Sequence, residues 1–221
     1  MEYVIYLSKS KIDMLYEQIH RTKGKVKAEG VVTLGIVSAK IEKESKEELN
    51  YFEKLERVTE HIQDSIGRIT DATIPSYISE EIPLVWRVPN TEPQVSYWVG
   101  DLEDRNLHIY CLLIGSSKNL LGASSDSGFL PYSNLRWFLS TYKSELEIDP
   151  KKKNHETIAK KQMDYSDLSR MVYQLNENEI GINSEKASYR FLAKCLYYVD
   201  YKEEEGINRF VVASPLYVSC N

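Results

Sequence analysis

Glu2-Tyr-Val-Ile-Tyr-Leu-Ser-Lys-Ser-Lys-Ile-Asp-Met-Leu-Tyr-Glu-Gln-Ile-His20 opens the chain and decides how the rest is read. Tyr3 to Leu7 is a continuous apolar run of β-favouring residues, which suits a strand covered on both faces and predicts a sheet built around it. The run passes through Ser8-Lys9-Ser10-Lys11 into a helical pattern in which Ile12, Leu15, Tyr16 and Ile19 share one face. Ser10 and Asp13 have the spacing of a capping box, with the hydroxyl accepting from an early helical N–H and the carboxylate turning back to the cap. A strand that feeds a helix through such a turn gathers free N–H groups and two ammonium groups at one point, a combination able to hold an anion.

The chain around this opening has 221 residues, long enough for a substantial core without a metal or disulfide staple. A single domain, residues 1–221, is expected. With 28 Lys and Arg against 33 Asp and Glu, the formal charge is −5, which gives no global attraction to nucleic acid or to an anionic membrane. The three cysteines, Cys111, Cys195 and Cys220, are odd in number and lack a C-x-x-C spacing, as expected of thiols in a reducing compartment. No apolar run reaches membrane-spanning length, so the expected location is the cytoplasm. Sixteen Tyr against 5 Phe mildly favour a semi-exposed sheet face, although codon bias is the simpler cause.

Beyond the first helix, the glycines near Lys23-Gly24-Lys25 and Glu29-Gly30 mark a turn, and Val31 to Ile41 reads as a strand. Ser45-Lys-Glu-Glu48 is a second capping box, predicting a long helix striped by Phe52, Leu55, Val58 or Thr59, Ile62, Ile66 and Ile69. Prolines dominate Asp71 to Pro93, leaving Ile82 to Val88 as a short strand that Pro83 confines to an edge or a start. Val95 to Gly100, Leu107 to Ile114 and Leu120 to Ser124 read as a three-stranded antiparallel meander, with Leu107 to Ile114 beside the first strand. Residues 147–156, with Asp149-Pro150 and Lys151-Lys152-Lys153, form a candidate flexible linker. A helix around Asp164 to Asn176, a helix from Ser184 to about Asp200 and a strand from Phe210 to Val218 complete the chain. Pro215 places that strand at an edge or on a bulge. The class is α+β, a mostly antiparallel sheet with helices packed on it.

No catalytic constellation stands out. His20, His61, His108 and His155 lie at no metal-ligand spacing, so no metal is expected, and no cofactor fingerprint is present. Lys151-Lys152-Lys153 lacks interleaved aromatics and reads as a solvated run, against nucleic-acid binding. The candidate anion site is Ser8, Lys9, Ser10 and Lys11, joined by Ser116, Ser117 and Lys118 if the strand order brings the two Ser/Lys turns together. A capped helix and a polar hairpin turn explain the same residues without a ligand.

Three stretches, Tyr3-Val-Ile-Tyr-Leu-Ser-Lys-Ser-Lys-Ile-Asp-Met-Leu15, Leu113-Ile-Gly-Ser-Ser-Lys-Asn-Leu-Leu-Gly122 and Ala213-Ser-Pro-Leu-Tyr-Val218, resemble an uncharacterised and largely actinobacterial family, a domain of unknown function. Its members open with a strand and Ser-Asp-x-Lys-Val-Asp-Met-Leu and close with Ser/Thr-Pro-Leu-Tyr-Val; Lys9 stands here for the usual Asp. The resemblance implies a bacterial cytoplasmic protein, an accessory of a multi-gene system such as defence or signalling, and no catalytic residues. The expectation is a non-enzymatic binding or sensor module that recognises a partner protein or a small anionic ligand. The alternative is an enzyme on a phosphate-containing or nucleotide substrate, with Lys9, Lys11 and Lys118 clamping phosphate and Asp13 as acid or base.

Overall fold

A computed structural model describes residues 3–31, 49–88, 95–121, 167–177, 186–203 and 206–220. Its contacts divide the chain into two compact units, Met1–Leu7 with Ile66–Asn221, and Ser8–Ser65. The expected strand from Val31 to Ile41 beyond its first residue, the Ser45 capping box, the end of the third meander strand at 122–124 and the candidate linker at 147–156 lie outside the described residues.

The larger unit is a β-barrel. Its strands are β1 (Tyr3–Leu7), β2 (Ile66–Gly67), β3 (Tyr77–Arg87), β4 (Val95–Asp104), β5 (Leu107–Ser116), β6 (Ala187–Glu203) and β7 (Gly206–Cys220). The order β7-β5-β4-β3 is closed by β6, which pairs with both β3 and β7, while β1 adds to β7 and β2 to β3. Only β5–β7 and β2–β3 run parallel, so the α+β reading with a mostly antiparallel sheet holds. Counted along the chain, the ring runs first, second, third, fifth, fourth, the connectivity of a Greek-key barrel of the OB type.

Alternation places the two faces. Ile78, Ile82 and Leu84 of β3, Trp98 of β4, Ile109, Cys111 and Leu113 of β5, Phe191 of β6 and Val211 of β7 share one core inside the ring. Val99, Tyr110, Leu112, Phe210 and Val212 point outward to helix α3 (Asp167–Glu177), which buries Met171, Val172 and Leu175 against them.

The prolines sit where pairing changes hands. Pro83 ends the β3–β6 ladder at Ser188 and Leu84 at Ala187, after which Val85 to Arg87 pair with β4. Gly100 leaves space for the Pro83 carbonyl. Pro215 falls between Ala213, the last partner of β5, and Tyr217, the partner of Leu7, and the β6–β7 register shifts there. The expected bulge is present, and the missing N–H lies at the handover from β5 to β1.

Four expectations are corrected. The segment read as a helix from Ser184 is β6: Tyr189, Phe191 and Ala193 point inward, while Arg190 points out to Glu81 of β3 at 2.9 Å. A bulge between Cys195 and Tyr197 breaks its alternation, and the displaced apolar residues fall at helical spacing. Leu107 to Ile114 does not lie beside β1, because β7 stands between them. Of the third meander strand only Leu120 and Leu121 are described; Leu120 bridges to Tyr6, and β7 fills the place beside β5. Nor is the sheet built around β1: it ends the strand path, with Tyr3 exposed and the consecutive Tyr6 and Leu7 both buried.

The smaller unit holds α1 (Lys9–Val31) and α2 (Tyr51–Ile62). Helix α1 continues through Gly24 and Gly30, where a turn was expected; each glycine costs about 1 kcal/mol against Ala, and the Lys, Ala and Glu residues between them favour helix. Helix α2 starts at Tyr51, capped by Asn50. Asn50 accepts from Phe52 N and Glu53 N at 2.9 and 3.0 Å, and Asn50 N donates to Glu53 Oε2 at 2.8 Å. It ends at Ile62, and the last two residues of the expected stripe go elsewhere: Ile66 into β2 and Ile69 into the barrel core.

Candidate functional site

The predicted anion site divides between the two units. In the smaller one, Ser8 is buried and its carbonyl accepts from Ile12 N at 3.1 Å, while Lys9 and Ser10 are exposed on the first turn of α1. Asp13 is turned to α2, accepting from Lys54 Nζ at 2.6 Å and Tyr51 Oη at 3.1 Å. Hydrogen bonding to Asp13 raises the pKa values of both partners. Lys9 Nζ lies 5.1 Å and Lys54 Nζ 4.9 Å from the centre of the Tyr51 ring, within cation–π range. Lys11 is half-buried, and desolvation lowers its pKa to about 8. Asp13 is therefore ion-paired with Lys54 and hydrogen-bonded to Tyr51, both on α2. Further along the same helix pair, Tyr16, Ile19, His20, Arg57, Glu60 and His61 line a shallow open groove.

In the barrel, Ser116 ends β5, and Ser117 and Lys118 form a 3-10 turn with Asn119. Lys118 is exposed, whereas Ser116 and Ser117 are buried. Among the described residues, neither hydroxyl has a hydrogen-bond partner, and neither do Ser96 Oγ and Trp98 Nε1, also buried. The register brings these residues to one end of the ring: Ser96 opposes Gly115 and Trp98 follows Ser96 on the inner face, whereas Ser116, opposite Val95, alternates to the outer face. Tyr6 completes this end. Its ring fills the space above Gly115, meets Trp98 edge-on at 5.3 Å, and its hydroxyl accepts from Asn119 Nδ2 at 3.1 Å.

The opposite end is closed. Arg209 on β7, 3% exposed, donates through Nε and Nη2 to Asp200 at 2.7 and 2.8 Å and through Nη1 to the carbonyls of Ile69 and Asp71. Buried Glu80 takes Arg68 Nε at 2.9 Å and the Ile69 N–H at 3.3 Å. Every polar group named there has its partner, as buried polar groups ordinarily do. The contrast marks the Ser96–Ser117 end as the exception.

On the outer face of β4 and β5, Asp101 receives Lys186 at 2.7 Å and His108 at 3.3 Å, and Asn176 of α3 also hydrogen-bonds it. This face carries ligands in OB-type barrels. Here α3 covers it, and Asp101 ties that helix down.

The family model spans residues 2–221. The chain belongs to DUF7019, a family of unknown function. No curated protein and no solved structure matches it. In this DUF7019 chain, no helix among the described residues is long and apolar enough to cross a membrane, and no group of three His, Cys, Asp or Glu there is placed to hold a metal.

Sequence reasoning reached Ser116, Ser117 and Lys118 but missed Ser96, Trp98 and Tyr6 as their neighbours. One signal was present. Ser96 interrupts an otherwise apolar strand at a position whose two-residue neighbour is Trp98, so a hydroxyl and an indole had to share one buried face.

Proposed function

We propose that this protein is a non-enzymatic binding module that takes a small anionic ligand at the barrel end formed by Ser96, Trp98, Ser117 and Lys118. The observation that carries the reading is the cluster of buried donors without acceptors. An unpaired buried polar group costs about 1–3 kcal/mol, so several at one end are a standing cost unless an acceptor arrives. The indole N–H can only donate and the hydroxyls can donate, a set matched by the oxygens of a phosphate or carboxylate. Lys118 adds positive charge at the rim. Hydroxyls and an indole hold an oxyanion but transfer no proton at neutral pH, which favours binding over catalysis.

The unpaired atoms are covered, so the ligand enters by displacing the Ser117–Asn119 turn. That turn is held by the Leu120 N–H to Ser117 carbonyl bond of 3.0 Å, the Leu121 N–H to Ile5 carbonyl bond of 2.9 Å and the Asn119 side chain on Tyr6.

Calorimetric titration with inorganic phosphate tests the reading. Saturable binding that weakens at least tenfold in the Ser96→Ala, Ser117→Ala double variant supports it. Equal binding by wild type and double variant, or none at millimolar phosphate, rejects it.

A further inference from the structure

In the smaller unit, the contacts between α1 and α2 climb both helices together. Asp13 meets Tyr51 and Lys54, and one turn on Tyr16 meets Arg57, whose Nη1 donates to the phenol at 3.4 Å. The two helices therefore run parallel, each step of three or four residues on one matched by a step on the other. The next rung sets His20 beside His61, and there the pair opens into the groove, about 340 Å³ in volume. That is the lower end of the range of about 300–1,000 Å³ that small-molecule sites occupy.

The charges around this opening are of both signs. On the first rung Asp13 and Lys54 neutralise each other. Arg57 and Glu60 stand three residues apart on α2, both lining the groove, yet among the described residues they form no ion pair; the guanidinium reaches across to Tyr16 instead. His20 turns against Tyr16, with ring centroids 4.5 Å apart and planes at 66°. Ile19, only 6% exposed, gives the groove an apolar floor. Side chains at this spacing have their Cβ atoms about 5–6 Å apart, so the groove offers a cation and an anion as near neighbours. A simple anion would meet Glu60, and a simple cation would meet Arg57.

We infer that the groove binds a small zwitterion, an α-amino acid with a short aliphatic side chain. Its carboxylate takes the planar fork of Arg57, its ammonium donates to Glu60, and its side chain lies on Ile19. The imidazoles of His20 and His61 flank the polar end. This site is independent of the anion-binding reading of the barrel end.

Calorimetric titration compares L-leucine with two probes that each lack one charge, 4-methylpentanoate without the ammonium and 3-methylbutylamine without the carboxylate. Wild type should bind leucine saturably at millimolar concentration and about tenfold tighter than either probe, since each has lost a charge-assisted contact. Glu60→Gln should bring leucine and 4-methylpentanoate to the same affinity, and Arg57→Gln should do so for leucine and 3-methylbutylamine. Both residues are exposed, and the comparison of probes on wild type needs no variant at all. No binding of leucine at millimolar concentration, a probe that binds wild type as tightly as leucine, or a leucine affinity unchanged in Glu60→Gln overturns the inference.

Discussion

The ring of Tyr6 occupies the space that a side chain on Gly115 would need. β1 is thereby keyed to β5 although no ladder joins them, with Leu120 bridging to Tyr6 from the turn. Gly115→Ala should push the phenol off Trp98 and destabilise the fold by about 1–3 kcal/mol, as overpacked core sites do. Tyr6→Phe keeps the packing and loses the bond from Asn119, for about 1 kcal/mol. Urea denaturation of the two variants checks the ranking.

The unpaired hydroxyls separate a binding role from a packing role. Where a hydroxyl is buried without a partner, its removal should relieve a cost, so Ser96→Ala and Ser117→Ala are each expected to stabilise the ligand-free protein by up to about 1 kcal/mol while weakening phosphate binding. Thermal unfolding with and without phosphate measures both effects. Destabilisation of the ligand-free protein by either variant would show that its hydroxyl already has a partner.

The closed end should respond in the opposite sense. Asp200→Ala leaves the buried Arg209 guanidinium without its carboxylate and should cost about 3 kcal/mol. Adding Arg209→Met should recover part of that loss, since the uncompensated charge goes with it. Equilibrium unfolding of the single and double variants decides.

Asp101 sets a pH dependence. Burial pushes its carboxyl up, but hydrogen bonds from Lys186, Asn176 and His108, with the charge of Lys186, outweigh this and hold it below the ordinary value. A carboxylate with a depressed folded pKa contributes stability that is fully present above the unfolded value of about 3.9 and is lost as pH falls through the lower folded value. The advantage of wild type over Asp101→Asn should therefore be constant from pH 7 to about 5 and shrink on acidification below about pH 4. Denaturant midpoints across this range test it; a difference independent of pH would contradict the linkage.

How much of this was legible in the sequence differs by element. The β4–β5 hairpin was, because Val95 to Gly100 and Leu107 to Ile114 are apolar runs joined by a polar turn, and α3 was, through Met171, Val172 and Leu175 at helical spacing. β6 was not. Ala187, Phe191, Cys195 and Val199 sit four apart, a spacing that a helix and a strand share, and the bulge at Leu196, which moves Val199 to the outer face, leaves no unbroken alternation to decide between them. The insertion of β7 between β1 and β5 is a matter of long-range pairing, which local patterning does not encode. For the same reason Ser116 and Ser117 were visible as a polar turn, whereas their companionship with Ser96 and Trp98 depends on cross-strand register.

The most direct test of the anion site is the indole N–H resonance of Trp98 in a nitrogen-15 proton correlation spectrum, assigned through Trp98→Phe and followed as inorganic phosphate is added. The donor has no acceptor among the described residues, so binding should move its proton downfield, saturably, with the same midpoint as the calorimetric titration. A Trp98 resonance that stays fixed while phosphate reaches millimolar concentration would contradict the site.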